Sequence, residues 1–259
     1  MTTSTPDALW ASRSVRLLHP AAVWCEGVRR RVGGERLLDG VDLAVPVGAR
    51  LLLVSRPEAS ASLLLRILAG VARADGGRLG LAGLSRADAG AAGWARRIGY
   101  VGPEASIHGW LTPREALSLA ADLIELAPAE REQLINGALE GYDLAGAADQ
   151  PIRRGGPSVA ERVALAAAQL NQPEVLLLDQ PLRAVDPLQR LRLLLGVGRR
   201  QTVVIASRYP AAEAGLVNRV VLLRDGRVVL NAPLGDLERA GRPLSMSAIE
   251  RMASTSPAR

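Results

Sequence analysis

Three short apolar runs constrain the fold of this chain more than any other feature of its sequence. They read LLLV at 51–54, VLLL at 175–178 and TVVIA at 202–206. Runs this short and this rich in Val, Ile and Leu are typical of strands that are covered on both faces. Segments with helical periodicity separate them, so we predict an α/β fold with a mostly parallel sheet, in which ligands bind at the carboxyl ends of the strands.

Three further regions differ from this alternating pattern. Residues 22–54 have strand character interrupted by glycine-containing turns, which indicates an antiparallel β subdomain. Residues 112–144 are helical, with Thr112 as the predicted N-cap, which indicates an inserted helical subdomain. A β-hairpin is predicted around the Asp-Gly pair at 225–226.

These patterns divide the chain into a leader, one domain and a tail. We expect a disordered leader at 1–21, a domain at 22–240 with its helical part at about 104–170, and a polar tail at 241–259 that is partly disordered or forms a short helix. No uncharged apolar stretch of about 18 residues is present, so no membrane span is predicted. The amino terminus lacks a basic start followed by an apolar run, so no secretory signal is predicted.

The charged residues and the cysteine exclude some functions. The net charge is +6, but all 32 basic residues are arginine and they are scattered along the chain, so no nucleic-acid partner is predicted. The single cysteine, Cys25, allows no internal disulfide and fits a reducing compartment. One cysteine and two histidines, His19 and His108, are too few to predict a zinc site.

Four segments, in sequence order, resemble the ATP-binding subunits of ABC transporters. They read LLLRILAG at 63–70, RRIGYVGPEASIHGWLTPREAL at 96–117, ERVALAAAQLNQPEVLLLDQPLRAVDP at 161–187 and TVVIASRYPAAEAGLVNRVVLLRDGRVV at 202–229. The resemblance covers roughly residues 22–240 and implies the P-loop NTPase fold, a site for ATP and Mg²⁺, and dimeric cassettes that dock on an integral membrane permease. It also implies a cytoplasmic protein that is peripheral on the inner face of the cell membrane.

The segment that aligns with the family's phosphate loop lacks most of the groups that such a loop uses. Backbone N–H groups, a lysine and a hydroxyl normally hold the phosphates and Mg²⁺ there. The aligned residues are Ser55, Arg56, Pro57, Glu58, Ala59, Ser60, Ala61, Ser62 and Leu63. Ala61 stands at the lysine, Glu58 adds negative charge, and Ser62 keeps a hydroxyl for Mg²⁺. Losing a charged contact to phosphate costs about 1.5–3 kcal/mol, and only Arg56 or Arg66 is available as a substitute cation.

The catalytic motifs that the resemblance places also depart from the family pattern. Asp179 keeps the carboxylate on the Mg²⁺ side, but Gln180 replaces the glutamate that acts as general base. An amide cannot accept the proton of the attacking water. Arg208 stands at the switch histidine, and Pro103, or one of its two neighbours if the register shifts, stands at the Q-loop glutamine.

The segment that aligns with the family's signature motif is altered as well. It consists of Gly155, Gly156, Pro157, Ser158 and Val159. Pro157 has no N–H and Gly156 stands at the serine, so the resemblance implies weaker contacts to a nucleotide on the partner subunit. Val32 stands where an adenine-stacking aromatic is expected. The D-loop, which contains Asp186, looks ordinary.

Altered motifs on a retained scaffold favour a degenerate subunit, a pseudo-ATPase with weak or no binding of ATP and Mg²⁺. Such a subunit couples to a permease or pairs with a competent ATPase, and we favour a heterodimer over a homodimer. Gln180 alone would also fit the weaker site of an active asymmetric pair. Two alternatives remain: a scaffold or binding module without a transport role, and a weakly active ATPase with unorthodox residues.

Several other residues have competing interpretations. His108 and Trp110 lie where the family docks its permease, or they belong to an ordinary surface loop. Trp94 and Trp110 have rings that can stack on bases, but isolated tryptophans more often belong to a core or an interface. Asp179 and Asp186 suggest a metal pair, but we favour structural roles, and Asp179 and Ser62 are metal ligands only if Mg-nucleotide binds.

Overall fold

The structure is a computed structural model that describes residues 21–104, 107–198, 201–239 and 243–255. Apart from Ala21, the expected leader lies outside the described residues. The strands are β1 (Ala21–Val32), β2 (Glu35–Pro46), β3 (Arg50–Arg56), β4 (Gly76–Leu81), β5 (Leu84–Ser85), β6 (Ile98–Val101), β7 (Val175–Asp179), β8 (Thr202–Ala206), β9 (Arg219–Arg224) and β10 (Arg227–Pro233). The α-helices are α1 (Ala59–Leu68), α2 (Arg86–Arg97), α3 (Pro113–Leu123), α4 (Pro128–Gly141), α5 (Ile152–Gln169), α6 (Pro187–Gly196), α7 (Gly235–Arg239) and α8 (Met246–Thr255).

A six-stranded sheet with the order β10-β9-β3-β8-β7-β6 forms the centre of the fold. All neighbouring strands in it are parallel except the β9–β10 hairpin. The three apolar runs of the sequence are β3, β7 and β8, which lie side by side, and their apolar side chains are buried. The prediction of an α/β fold with a mostly parallel core sheet is therefore confirmed.

A second, antiparallel sheet with the order β2-β1-β4-β5 covers one side of this core. Helix α1 contacts strands of both sheets. Its Leu64 and Leu68 share one hydrophobic cluster with Val28 of β1 and Leu53 of β3. The residues predicted to form an antiparallel β subdomain thus supply β1 and β2.

The β9–β10 hairpin joins the two sheets at its tip. The N–H of Asp39 in β2 donates to the carbonyl oxygen of Gly226 over 2.8 Å, and Arg227 ion-pairs with the Asp39 carboxylate. Gly226 has a φ of +73°, and a Cβ there would lie 2.8 Å from the Asp39 nitrogen, so this position requires glycine. The N–H of Asp225 donates to the carbonyl oxygen of Arg56 over 3.0 Å, which fixes the tip to the end of β3.

Helices α3, α4 and α5 pack around a separate hydrophobic cluster that includes Leu117, Leu139 and Val163. Helix α3 begins with a capping box. The N–H of Glu115 donates to the Thr112 hydroxyl over 3.1 Å, and the N–H of Thr112 donates to the Glu115 carboxylate over 2.8 Å. The predicted N-cap at Thr112 is therefore confirmed.

Two helices include residues that were aligned with family motifs. Helix α1 begins at Ala59, inside the phosphate-loop segment, where alanine and serine stand in place of glycines. Helix α5 begins at Ile152, and Gly156 of the signature-like segment, with a φ of +68°, interrupts it. Pro157 follows this break in the first turn of the continuing helix, where its missing N–H leaves no helical hydrogen bond unmade.

The carboxyl-terminal segment is packed against the core rather than separate from it. Ala248 and Ile249 of α8 are fully buried and share a hydrophobic cluster with Val220 and Leu222 of β9 and Leu230 of β10. Within the described ranges, every helix is too short or too polar to cross a membrane.

Candidate nucleotide site

The site predicted from the sequence lies where β3, β7 and β8 end. These strands are neighbours and parallel, so the loops at their carboxyl ends meet at one edge of the sheet. The cleft between these loops has a volume of about 60 Å³, the space of roughly two water molecules. It is lined by Ser55, Arg56, Glu58, Ala61, Ser62, Asp179, Gln180, Ala206, Ser207, Arg208 and Met246.

The phosphate-loop segment makes its own hydrogen bonds inside this cleft. The Ser55 hydroxyl donates to the carbonyl oxygen of Glu58 over 3.0 Å and accepts the backbone N–H of Ala61, also over 3.0 Å. The Ser60 hydroxyl is directed away, donating to the carbonyl oxygen of Leu37 over 2.8 Å. One helix-terminal N–H of α1 that would otherwise be available to an anion is thus satisfied by a side chain of the same loop.

The two groups that were aligned with Mg²⁺ ligands contact each other directly. The Ser62 hydroxyl donates to Oδ1 of Asp179 over 2.9 Å. Asp179 is 1% exposed, and its Oδ2 has no hydrogen-bond partner among the described residues. Burial raises the pKa of the Asp179 carboxyl, while the Ser62 hydrogen bond and the charges of Arg66 and Arg208 lower it in part.

Arg208 crosses the mouth of the cleft. Its Nε donates to the side-chain oxygen of Gln180 over 2.9 Å, and its Nη1 lies 3.5 Å from a carboxylate oxygen of Glu58. The residues at the switch, base and phosphate-loop positions are therefore linked in one network. The pair with Glu58 is exposed and long, so its contribution to stability is small.

Helix α8 supplies a part of the site that sequence reasoning missed. Met246 lines the cleft, and Glu250 lies 3.3 Å from Nε of Arg56. Met246 and Glu250 are four residues apart, so they lie on one face of the helix. The polar composition of the tail concealed that it would pack here; its apolar residues Leu244, Met246, Ile249 and Met252 were the signal that could have indicated a packed helix.

Other predicted site residues lie outside the cleft lining. Pro103 follows the carboxyl end of β6, at the same edge of the sheet, but it offers no side-chain hydrogen-bonding group. The segment 155–159 spans the break in α5. Asp186 caps α6 by accepting the N–H groups of Leu188 and Gln189 over 2.9 and 3.1 Å. This capping role is structural.

The D-loop is also held from the signature side. The backbone N–H of Ala184 donates to the carboxylate of Glu161, on the helix that follows the break in α5, over 2.8 Å.

Within the described part of the chain, no group of three or more His, Cys, Asp and Glu residues is arranged to hold a metal ion.

The loop before α3 presents two stacked rings. The His108 and Trp110 rings have centroids 4.3 Å apart and are inclined by 14°. Trp110 is 63% exposed. The loop is fixed behind these rings, because the N–H of Arg153 donates to the carbonyl oxygen of Gly109 over 2.9 Å. Trp94, in contrast, is a core residue whose indole N–H donates to the carbonyl oxygen of Leu68.

The sheet order, the helix after β3 and the position of the cleft define a P-loop NTPase of the ATP-binding-cassette type. The family model described as ABC transporter matches residues 38–183. The chain therefore belongs to the ABC transporter family and contains its ATP-binding domain.

Curated relatives are about a third identical to this chain over the aligned residues. The daunorubicin resistance ATP-binding protein DrrA2 of Streptomyces coeruleorubidus is 31% identical over 91% of this chain and 79% of its own length. The aliphatic sulfonates import ATP-binding protein SsuB of Pseudomonas putida is 32% identical over 86% of this chain and 80% of its own length. The cobalt import ATP-binding protein CbiO of Rhodobacter capsulatus is 34% identical over 76% and 73%, respectively.

Solved structures share the fold at lower identity. An ATP-binding subunit of an ABC transporter superimposes with a TM-score of 0.78 at 21% identity, over 90% of this chain and all of the other. A dimeric cassette in a post-hydrolysis state, bound to ADP and Pi, superimposes with a TM-score of 0.72 at 21% identity, over 82% of this chain and 98% of the other.

Proposed function

We propose that this chain is a cassette subunit of an ABC transporter that no longer hydrolyses ATP, and that pairs with a competent ATPase subunit and transmits motion to a permease. The single observation that carries the proposal is the state of the cleft at 55–63, which is filled and cross-linked by the chain's own side chains. We place the subunit on the inner face of the cell membrane, where a permease would hold it.

The residues of the cleft do not fit a Mg-triphosphate. The cleft has a volume of about 60 Å³, and the Arg208 side chain crosses its mouth to reach Gln180 and Glu58. Ala61 replaces the cation that would meet the phosphates, and the Glu58 carboxylate at the mouth would repel them. Arg56 and Arg208, the nearby cations of the lining, face Glu250 and Glu58, so their charges are partly neutralised.

The groups needed for hydrolysis are also missing. Gln180 cannot take a proton from water, and its side-chain oxygen already accepts a hydrogen bond from Arg208. Ser62 and Asp179 could still meet a metal ion, yet they are bonded to each other, and Ala61 stands where a phosphate loop has its lysine. We therefore derive no catalytic step through ATP or Mg²⁺ at this site.

The proposed partners follow from the family and from the parts of the fold that are intact. Relatives are named as import and resistance ATP-binding proteins, and a cassette of the same fold was solved as a dimer. The D-loop of this chain is rigidly held through Asp186 and Glu161. Because the chain's own site is closed, we favour a heterodimer with an intact ATPase, which would supply the hydrolysis that a homodimer of this chain would lack.

The surface proposed to meet the permease is the His108–Trp110 loop. A large exposed aromatic ring on a hydrogen-bonded loop is the kind of anchor that interfaces use. Replacing Trp110 by Ala should weaken co-purification with a permease without changing the stability of the cassette, because the ring is largely in solvent. An unchanged yield of the complex would argue for the scaffold alternative or for a different docking surface.

The direct test is ATP turnover by the purified chain. We expect no phosphate release above the buffer background, with or without Mg²⁺. The matched control is the Gln180→Ala, Arg208→Ala double variant, because turnover from a contaminating ATPase would be the same in both preparations. Turnover that is present in the wild-type chain and lost in the double variant would overturn the proposal.

Reconstitution with a competent ATPase subunit shows which of the two subunits hydrolyses ATP. When the chain is combined with a competent ATPase subunit, replacing the partner's phosphate-loop lysine should abolish turnover, whereas Ala61→Gly in this chain should leave it unchanged. Turnover that survives loss of the partner's lysine would place hydrolysis in this chain and contradict the proposal.

A further inference from the structure

The carboxyl-terminal helix α8 contacts both the hydrophobic core and the cleft. Ala248 and Ile249 are fully buried against the hairpin strands β9 and β10. Met246, one turn before Ile249, packs against the same hydrophobic cluster and also lines the cleft, and Glu250 contacts Arg56 of the 55–63 loop. The helix therefore lies between the hydrophobic core and the cleft, and it is anchored on the core side.

The loop at 55–63 is held from three directions. The hairpin holds the carbonyl oxygen of Arg56 through the N–H of Asp225. The loop after β8 holds Glu58 through Arg208. Helix α8 holds the Arg56 side chain through Glu250 at 3.3 Å and closes the cleft with Met246. Of these three, only α8 contributes an apolar side chain to the cleft wall, since Ala206 and Ala61 belong to the sheet and to the loop itself.

From these contacts we infer that α8 is an intramolecular clamp that keeps the 55–63 loop in its closed conformation. This inference rests on the proposed function, because a closed cleft is useful only to a subunit that does not need to admit nucleotide. The clamp acts through Met246, which lines the cleft together with Ser55 and Ala61, and through Glu250, which fixes the direction of Arg56. In the closed loop the Ala61 N–H stays bonded to the Ser55 hydroxyl.

Hydrogen exchange on the full chain tests the clamp. In the Met246→Ala, Glu250→Gln double variant, the amides of 58–63 should exchange about five- to thirtyfold faster than in the wild-type chain, the factor expected when an exposed ion pair and a half-buried side chain are lost. Ala248 and Ile249 are unchanged in this variant, but Met246 also packs against their hydrophobic cluster, so the docking of α8 is measured in the same experiment. Amides within α8 should keep their protection, which shows that the helix is still docked.

The matched control is Asp236→Asn, which removes a carboxylate from the exposed Asp236–Arg239 pair on the neighbouring helix α7. It should leave exchange at 58–63 unchanged. If the double variant also leaves it unchanged while α8 stays protected, the clamp is overturned. If the amides of α8 lose protection in the double variant, the single Glu250→Gln variant is measured instead. Faster exchange at 58–63 with α8 still protected in that variant supports the clamp. Unchanged exchange at 58–63 with α8 still protected overturns it.

Nucleotide binding separates this inference from the proposed function. A fluorescent ATP analogue with Mg²⁺ should not bind to the wild-type chain. Binding by the wild-type chain together with ATP turnover would overturn the proposed function, whatever the exchange data show. Binding without turnover would overturn the clamp alone, because the loop would then admit nucleotide. Absence of binding together with unchanged loop exchange in the double variant would overturn the clamp alone.

Discussion

Two arginine–glutamate pairs, one in the scaffold and one at the cleft, differ in almost every physical respect. In the scaffold, Arg190 meets both carboxylate oxygens of Glu213 at 2.9 and 2.8 Å, and the two side chains are only 14% and 2% exposed. At the cleft, Arg208 meets Glu58 through a single contact of 3.5 Å, with side chains 38% and 51% exposed. In the first pair one guanidinium nitrogen contacts both oxygens of a desolvated carboxylate, whereas the second pair is loose and solvated.

The difference shows which part of the molecule is under the stricter structural constraint. Arg190 also donates to the carbonyl oxygens of Pro181 and Ala212, so it binds the loop after β7 to the loop after β8. These contacts keep the sheet edge in the shape that a cassette needs. On the same edge, the contact between the cleft residues Arg208 and Glu58 is exposed and of low energy.

The largest effect expected from this comparison comes from Glu213→Gln. The substitution leaves the Arg190 charge partly buried without its counter-ion, so the free energy of unfolding should fall by about 3 kcal/mol. Urea unfolding followed by circular dichroism measures it. A loss below about 1 kcal/mol would mean that the scaffold pair is no stronger than a surface pair. The scaffold pair and the cleft pair would then contribute similarly to stability.

A smaller loss is expected for Gly226→Ala at the hairpin tip. A Cβ there meets backbone atoms of β2 at 2.8–3.1 Å, in a φ of +73°, so the unfolding free energy should fall by roughly 2 kcal/mol. Gly34→Ala is the matched control, because Gly34 also has a positive φ but a Cβ there meets nothing within 4 Å. Equal losses in the two variants would show that backbone strain, and not the junction between the sheets, sets the effect.

Asp179→Asn should stabilise the protein by about 1 kcal/mol, because it removes a buried charge with an unpartnered oxygen. The pKa of Asp179 is raised in the folded state, so its ionised form disfavours folding at neutral pH. The penalty disappears as the pH falls through the raised pKa toward the ordinary value of 3.8. Unfolding free energies of both proteins at several pH values measure this. A gain that is the same at acidic and neutral pH would contradict it.

The smallest effect is expected for Glu58→Gln. The exposed pair with Arg208 should contribute about 0.5 kcal/mol at low salt, and less at high salt because counter-ions screen it. A double-mutant cycle with Arg208→Gln isolates the pair from other effects of each substitution. A coupling energy above about 2 kcal/mol would show that the cleft pair contributes as much to the stability of the protein as the Arg190–Glu213 pair does.

Much of the scaffold could be predicted from the sequence, because its signals are local. The apolar runs at 51–54, 175–178 and 202–206 are strands, and Thr112 with Glu115 forms the capping box that the spacing indicates. The sequence order of the four motif-like segments indicated the ABC transporter family. Each of these features depends on residues within a few positions of one another.

The interior of the cleft could not be predicted in the same way. Alignment named Glu58, Gln180 and Arg208 as departures from the family pattern, but it could not show that they bond to one another across 150 residues of chain. The bond between Ser55 and the Ala61 N–H depends on the rotamer of one hydroxyl. The packing of Met246 depends on the path of a polar tail whose sequence carries a weak periodic signal.

The hairpin tip has a mechanical consequence. Asp225 and Gly226 are adjacent, and one is bonded to the end of β3 while the other is bonded to β2. The antiparallel subdomain and the wall of the cleft therefore cannot rotate independently without breaking one of two short hydrogen bonds. A force on the antiparallel subdomain is therefore transmitted to the cleft wall, and the reverse, through the peptide groups of Asp225 and Gly226. This connection does not depend on a bound phosphate.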